Sequence, residues 1–185
     1  QYLKYQLNPH FFMNTLNNIH ALIDIDSRKA KTSIIELSKL MRYVLYESNK
    51  DYIELTKEIT FLQNYIELMR LRFTESLNIQ TDFPLIVPEV KIPPLLLISL
   101  LENAFKHGVS YREASFIHIS LKIDDGNLIF KCSNSKHRTK KDEHHGVGLE
   151  NVKKRLQLLF GNNYTYTINE NENEYNVSLN IPLNT

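Results

Sequence analysis

Apolar residues at helical spacing in the first fifty positions limit what this chain can build. Phe12, Leu16, Ile19 and Ile23 are separated by four, three and four residues; Ile34, Leu37, Met41 and Val44 follow at three, four and three. Each set draws one stripe along a helix. The short polar connection Asp24 to Arg28 folds the two helices into an antiparallel hairpin. Two helices cannot bury both flanks alone, so the spacing predicts a dimeric four-helix bundle, with Leu37 and Met41 on its interface. Asn8-Pro9-His10 opens the first pattern. Asn8 as N-cap and Pro9 at the first helical position account for the proline. At about 100° per residue His10 points roughly 150° away from the stripe. It is either a polar residue beside a cap or an imidazole presented for chemistry, and a neutral imidazole is a competent nucleophile toward a phosphoryl group.

The rest of the chain changes character. A third helical pattern runs from Leu55 to Phe73, and Leu77 to Phe83 reads as a strand. Pro84, Pro88, Pro93 and Pro94 mark a loop. An apolar helix is expected over Leu95 to His107, closed by Gly108. Ile117 to Ile123 and Asn127 to Lys131 alternate as strands around the turn Asp124-Asp125-Gly126. Ser133 to His145, polar and lysine-rich, reads as a loop, with Lys136 to Lys141 as its solvated charges. Gly146-Val147-Gly148 opens a helix from Leu149 to Phe160, and Tyr164 to Ile168 and Tyr175 to Ile181 are two further strands. The shift near Asn49 to Asp51 divides the chain into helical residues 1–50 and an antiparallel-rich α/β sandwich, 51–185. The expected class is α+β.

Composition excludes little. A net charge of +1 over 185 residues gives no argument for nucleic acid or a membrane surface. The single cysteine, Cys132, forms no internal disulfide, which points to a reducing compartment. No apolar run approaches the roughly 20 residues that span a bilayer. Because the chain starts at Gln1 in mid-pattern it reads as a fragment, with membrane contact only through an upstream segment.

Besides His10, two groups of residues carry chemistry. "LLENAFKHG" (100–108) sets Glu102, Asn103, Lys106 and His107 on an otherwise apolar helix, with Asn103, Lys106 and His107 on one face by i,i+3 and i,i+4 spacing. A neutral amide oxygen suits Mg²⁺, which takes few protein ligands when phosphates supply the rest. The alternative is an amphipathic helix whose polar face meets water. "HHGVGLENVKKRL" (144–156) places Gly146 and Gly148 before a helix, where backbone N–H groups can approach phosphate at the positive end of the helix dipole. A plain glycine loop is the bland reading. His137, His144 and His145 lack the cysteine and ligand spacing of a metal site.

These pieces together closely resemble one family. "QLNPHFFMNTLNNI" is similar to the phosphoacceptor motif Gln-x-Asn-Pro-His-Phe-x-x-Asn of the LytS/YehU-like sensor histidine kinases. "LSKLMRYVLY" and "LTKEITFLQNYIELMRLRF" resemble the segments that follow it. "IPPLLLISLLENAFKHG" resembles the nucleotide-binding N motif, and "GVGLENVKKRLQLLFG" the glycine motif after the ATP lid. The resemblance implies a phosphoacceptor and dimerisation domain at 1–50, and a GHKL-type (Bergerat) ATP-binding sandwich with a mixed sheet at 51–185. It implies ATP and Mg²⁺ as ligands, Asn103 on Mg²⁺, and Lys106, His107, Asn134, Gly146, Gly148 and Leu149 around the nucleotide. His10 would take the γ-phosphoryl group and pass it to an aspartate of a response-regulator receiver domain. The chain would then be the cytoplasmic kinase core of a bacterial inner-membrane sensor, working as a homodimer.

The sequence also departs from the pattern. Where the superfamily carries Asp-x-Gly-x-Gly, this chain has "CSNSKHR", with Asn134 in the aspartate position. Its carbonyl can accept the adenine hydrogen bond as a neutral partner. Phe11 follows the phosphoacceptor in place of an acidic residue, and Ile98 and Ser99 replace the usual Gln and Pro before the N motif. A dimeric nucleotide-sensing or scaffold module without turnover is the rival reading. A GHKL ATPase fits less well, since Ser99 stands where such enzymes carry a glutamate base.

Overall fold

A computed structural model describes residues 9–73, 77–110, 112–137 and 147–183. The chain divides into two compact units: 1–74 with 93–95, and 75–92 with 96–185. The division falls after the third helix rather than at the 50/51 composition shift. Class α+β is what the structure has, and the sheet is mixed.

The first unit contains helices α1 (Pro9–Ile23), α2 (Ser27–Tyr46) and α3 (Leu55–Arg72), with a two-residue strand β1 (Ile53–Glu54) ahead of α3. The connection between α1 and α2 is short because Asp26 caps α2, its carboxylate accepting the Lys29 N–H at 2.9 Å. The inward face of α1 is Phe11, Thr15, Ile19 and Leu22, not the full stripe its spacing predicts; Leu16 and Ile23 are half exposed. On α2 the buried residues are Ala30, Ser33, Leu37, Leu40 and Tyr43, while Ile34 and Met41 face solvent. The reason is α3. It is buried on more than one side, through Ile59, Phe61, Leu62, Tyr65, Ile66, Leu68 and Met69, and packs against α2 as a third helix within the unit. Phe61 stacks on Tyr43 with ring centroids 4.2 Å apart, and Tyr65 meets Phe11 at 5.2 Å. The buried hydroxyls of Thr15 and Ser33 return to the carbonyls of Phe11 and Lys29, so neither is unpaired in the core.

The second unit is built on a five-stranded sheet. Its strands are β2 (Leu77–Asp82), β4 (Ser115–Asp124), β5 (Asn127–Ser135), β6 (Thr165–Glu170) and β7 (Glu174–Pro182), in the order β2-β4-β5-β7-β6. A two-residue strand β3 (Lys91–Ile92) lies outside this sheet. β2 runs parallel to β4 and the remaining pairs are antiparallel. Register explains the alternation. Ile119 opposes Cys132, which opposes Val177; Leu121 opposes Phe130, which opposes Leu179. These rows form one apolar face, and His118, Lys122 and Lys131 lie on the other. Helix α4 (Ile98–Gly108) covers the apolar face across β4 and β5, and α5 (Val147–Phe160) packs beside α4. The unit is therefore a two-layer sandwich.

Two expected boundaries move. β5 continues to Ser135, so Ser133 to Ser135 are strand rather than loop, because the alternation of Leu128, Phe130 and Cys132 carries on through Asn134. α4 begins at Ile98, three residues after Leu95, because Leu95 has φ of 55° and cannot belong to a right-handed helix.

Burial in the middle of the apolar face pushes the Cys132 thiol up to about 12. Native protein should therefore resist a maleimide at pH 8 and react fully in guanidinium, since only the thiolate is nucleophilic. Rapid stoichiometric labelling of folded protein would contradict this packing.

Candidate functional site

The residues expected to bind ligand gather around α4. Its buried side is Ile98, Leu100, Leu101, Ala104, Phe105 and Gly108. What remains on the opposite side is Ser99, Glu102, Asn103, Lys106 and His107, with Lys106 exposed and the others half-buried. The 3.6-residue period thus separates an apolar face, held on the sheet, from one polar strip. Lys106 and His107 also occupy the last turn, where positive charge complements the helix dipole.

The C-terminal end of α4 is fixed to β5 by contacts that spacing did not reveal. A Cβ placed on Gly108 would lie 2.6 Å from the Cβ of Asn134 and 2.8 Å from its Nδ2. No side chain fits between them. The Ser135 hydroxyl donates to the Gly108 carbonyl at 2.7 Å, satisfying a carbonyl that the helix end leaves without an intrahelical partner. The Asn134 amide nitrogen donates to the Ser135 carbonyl at 2.8 Å, and Asn134 is 2% exposed. Reading Gly108 only as a helix stop misses this close approach, and reading Ser133 to Ser135 as loop hides the strand that makes it.

Beside this junction lies a second small network. The His137 Nε2 is 3.0 Å from the Ser115 hydroxyl and its Nδ1 is 2.9 Å from the Glu113 carboxylate. The Ser115 hydroxyl also accepts the Ser110 N–H at 3.0 Å. His137 is therefore committed to joining the turn before β4 to the end of β5. Among the described residues no cluster of three metal-binding side chains occurs. His144 and His145 lie outside the described residues.

The other glycine-rich element is described in part. α5 starts at Val147, so Gly148 and Leu149 lie in its first turn, where backbone N–H groups lack intrahelical acceptors. Gly146 lies outside the described residues. His10 is in the first turn of α1, on the other unit, and its backbone alone is described. The donor set on one unit is a neutral amide, an ammonium and an imidazole on α4, and α5, whose first turn holds Gly148 and Leu149, is packed against that helix. An amide oxygen is a hard ligand for Mg²⁺, and an ammonium and free backbone N–H groups suit phosphate oxygens. The chemistry of these residues fits a magnesium–polyphosphate ligand.

The chain is similar to known proteins in sequence and in fold. Residues 1–77 match the family described as Histidine kinase. The chain is 32% identical to "Sensor protein LytS" of Staphylococcus saprophyticus, over 97% of the chain and 33% of that relative. It is 34% identical to "Sensor histidine kinase/phosphatase LytS" of Staphylococcus aureus, over 86% of the chain and 30% of that relative. The chain thus spans about a third of the length of these relatives. Among solved structures, the histidine kinase domain of the Erythrobacter litoralis EL346 blue-light activated histidine kinase matches with a TM-score of 0.53 at 15% identity, covering 96% of this chain and 89% of that one. Acinetobacter baumannii histidine kinase AdeS matches with a TM-score of 0.53 at 17% identity, covering 98% and 88%. At those identities the likeness concerns the fold alone.

Gly108→Ala is expected to move the α4 terminus away from Asn134 and to lower the melting temperature by several degrees, as overpacking of about 1–3 kcal/mol does in a domain of this size. A variant that melts with the parent would show that the junction has room to spare.

Proposed function

Because the chain belongs to the LytS-like sensor histidine kinases, a class of protein-histidine kinases, we propose that it is the kinase core of a two-component sensor, autophosphorylating on His10. The observation that carries this reading is the polar strip of α4, which places Asn103 and Lys106 on one side of a helix whose other side is anchored to the sheet. Asn103 holds Mg²⁺ through its amide oxygen; Lys106, His107 and the backbone N–H groups around Gly146, Gly148 and Leu149 surround the phosphates. Asn134 accepts from the adenine amino group. Magnesium, when bound, neutralises charge on the β- and γ-phosphates.

In the transfer, an imidazole nitrogen of His10 forms the new N–P bond as the bond from the γ-phosphorus to the bridging oxygen breaks. ADP leaves, and the imidazole loses its N–H proton. Such a reaction depends mainly on positioning and charge stabilisation, which suits a site made of neutral and cationic donors. The phosphoryl group then passes to a receiver-domain aspartate of a response regulator. No described helix is long and apolar enough to cross a membrane; the chain is proposed to be the cytoplasmic part of a membrane sensor.

Incubation with γ-labelled ATP tests the proposal. His10→Gln should abolish an acid-labile, base-stable label while nucleotide still binds, and Asn103→Ala should lose Mg²⁺-dependent ATP binding without a change in melting temperature. Persistent labelling of the His10 variant would remove the phosphoacceptor assignment. Binding without any label on the parent would favour the scaffold alternative.

The homodimer is proposed to form through apolar residues that the first unit leaves outside. Met13, Leu16 and Ile23 of α1, with Ile34, Met41 and Leu45 of α2, are each 44–62% exposed and recur at three- and four-residue steps or their sums. Leu37 is not among them; it is 3% exposed and packs within the unit, so its expected interface place is corrected. Met41→Glu with Leu45→Glu should yield a folded monomer in sedimentation equilibrium, whereas Leu37→Glu should unfold the helices, since a buried unpaired charge is costly. A parent chain already monomeric at micromolar concentration would refute the dimer.

A further inference from the structure

The turn into α4 contains a conformation that its own sequence does not favour. Leu95 is 2% exposed and left-handed, φ 55°, although leucine prefers the right-handed region and the following residues are strong helix formers. Left to local propensity, Leu95 to Leu97 would join the helix. They do not, and α4 starts at Ile98, its first turn closing on the Leu97 carbonyl, which accepts from the Leu100 N–H at 3.1 Å. Pro93 and Pro94 have no N–H, so Leu95 supplies the first backbone donor after them. That N–H donates at 3.0 Å to Oε2 of Glu58, a carboxylate on α3 with no solvent exposure. The same oxygen accepts the hydroxyl of Tyr43 on α2 in a short hydrogen bond. Burial, and then the Glu58 charge, raise the Tyr43 pKa far above the ordinary tyrosine range, so the hydroxyl stays protonated and remains a donor.

We propose that Glu58 is a positioning residue for α4: its buried carboxylate, shared by the Tyr43 hydroxyl and the Leu95 N–H, holds Leu95 left-handed and so fixes where α4 begins. The starting residue matters because the first turn of a helix is its weakest, with N–H groups that lack intrahelical acceptors, and a fixed preceding residue keeps that turn closed. Asn103, Lys106 and His107 share one strip by helical spacing, and a first turn that opens leaves the helix carrying that strip less firmly held. Tyr43 makes the arrangement sensitive to α2. A displacement of α2 that withdraws the hydroxyl weakens the hold on Leu95. The functional part of this inference rests on reading α4 as the nucleotide helix; the structural part does not.

The test uses the 185-residue chain with Tyr43→Phe and Glu58→Gln, the latter also combined with Leu95→Gly or Leu95→Ala. Two quantities are measured: amide hydrogen exchange at residues 98–101 and affinity for Mg·ATP. Both single variants should exchange faster in the first turn of α4. Glu58→Gln should bind Mg·ATP roughly tenfold more weakly, the factor corresponding to the cost of one left-handed non-glycine residue. Leu95→Gly should restore both properties in the Glu58→Gln background, and Leu95→Ala should not. The glycine and alanine variants lose the same packing, so their difference reports backbone conformation alone. Should Glu58→Gln fail to fold, Tyr43→Phe, which removes only a hydroxyl, decides through exchange. Unchanged exchange in the single variants, or equal behaviour of glycine and alanine, would overturn the proposal. A parent chain that does not bind Mg·ATP, yet shows the expected exchange pattern, would overturn the nucleotide reading and leave the Glu58 hold standing.

Discussion

The candidate site depends on the contact of one helix end with one strand end. α4 lies on the sheet through six buried residues, but its rotation is fixed at Gly108, where the absence of a Cβ admits Asn134. The Ser135 hydroxyl then closes on the Gly108 carbonyl, so steric fit and hydrogen bonding select the same position. With that end fixed, the polar strip of α4 faces away from the sheet. The apolar rows of β4, β5 and β7 provide the area that stabilises the contact, and Gly108 decides its geometry.

Much of this was legible in the sequence, for identifiable reasons. Helical periodicity located α1, α2 and α3, and strict alternation located the strands, because one face of each element is buried and the other is not. The polar positions of α4 were visible as interruptions of an apolar run. Where the reading went astray, a long-range contact had overridden a local preference. Leu95 looks helical until the Glu58 carboxylate and two prolines are placed around it. Ser133 to Ser135 look like loop because serine and asparagine favour turns, yet register with β7 keeps them extended. The Ser115–His137–Glu113 network left no local signal at all, since its members are brought together by the pairing of β4 with β5.

The helical pair shows a different kind of error. Its apolar residues were assigned to one stripe per helix, as suits a two-helix hairpin. In the structure each helix divides them between an inward set, facing α3, and an outward set open to solvent. Periodicity cannot separate these, because a wide apolar face and two adjacent narrow ones produce similar spacing. Only the presence of α3, more than thirty residues beyond α1, decides which leucines are core.

The first unit is completed by Pro93–Leu95, a piece of chain made after β2 and immediately before α4. Neither unit is a continuous run of sequence. During synthesis α1, α2 and α3 can associate early through local contacts, but they lack Leu95, and with it one partner of Glu58, until the polypeptide has passed through β2 and returned. For the same reason no single cut releases an intact half. A chain ending at residue 74 would keep all three helices with a buried carboxylate short of a donor, and one starting at 75 would carry the turn without the helices that hold it. Any fragment boundary placed between residues 74 and 95 therefore separates Glu58 from one of its hydrogen-bond donors.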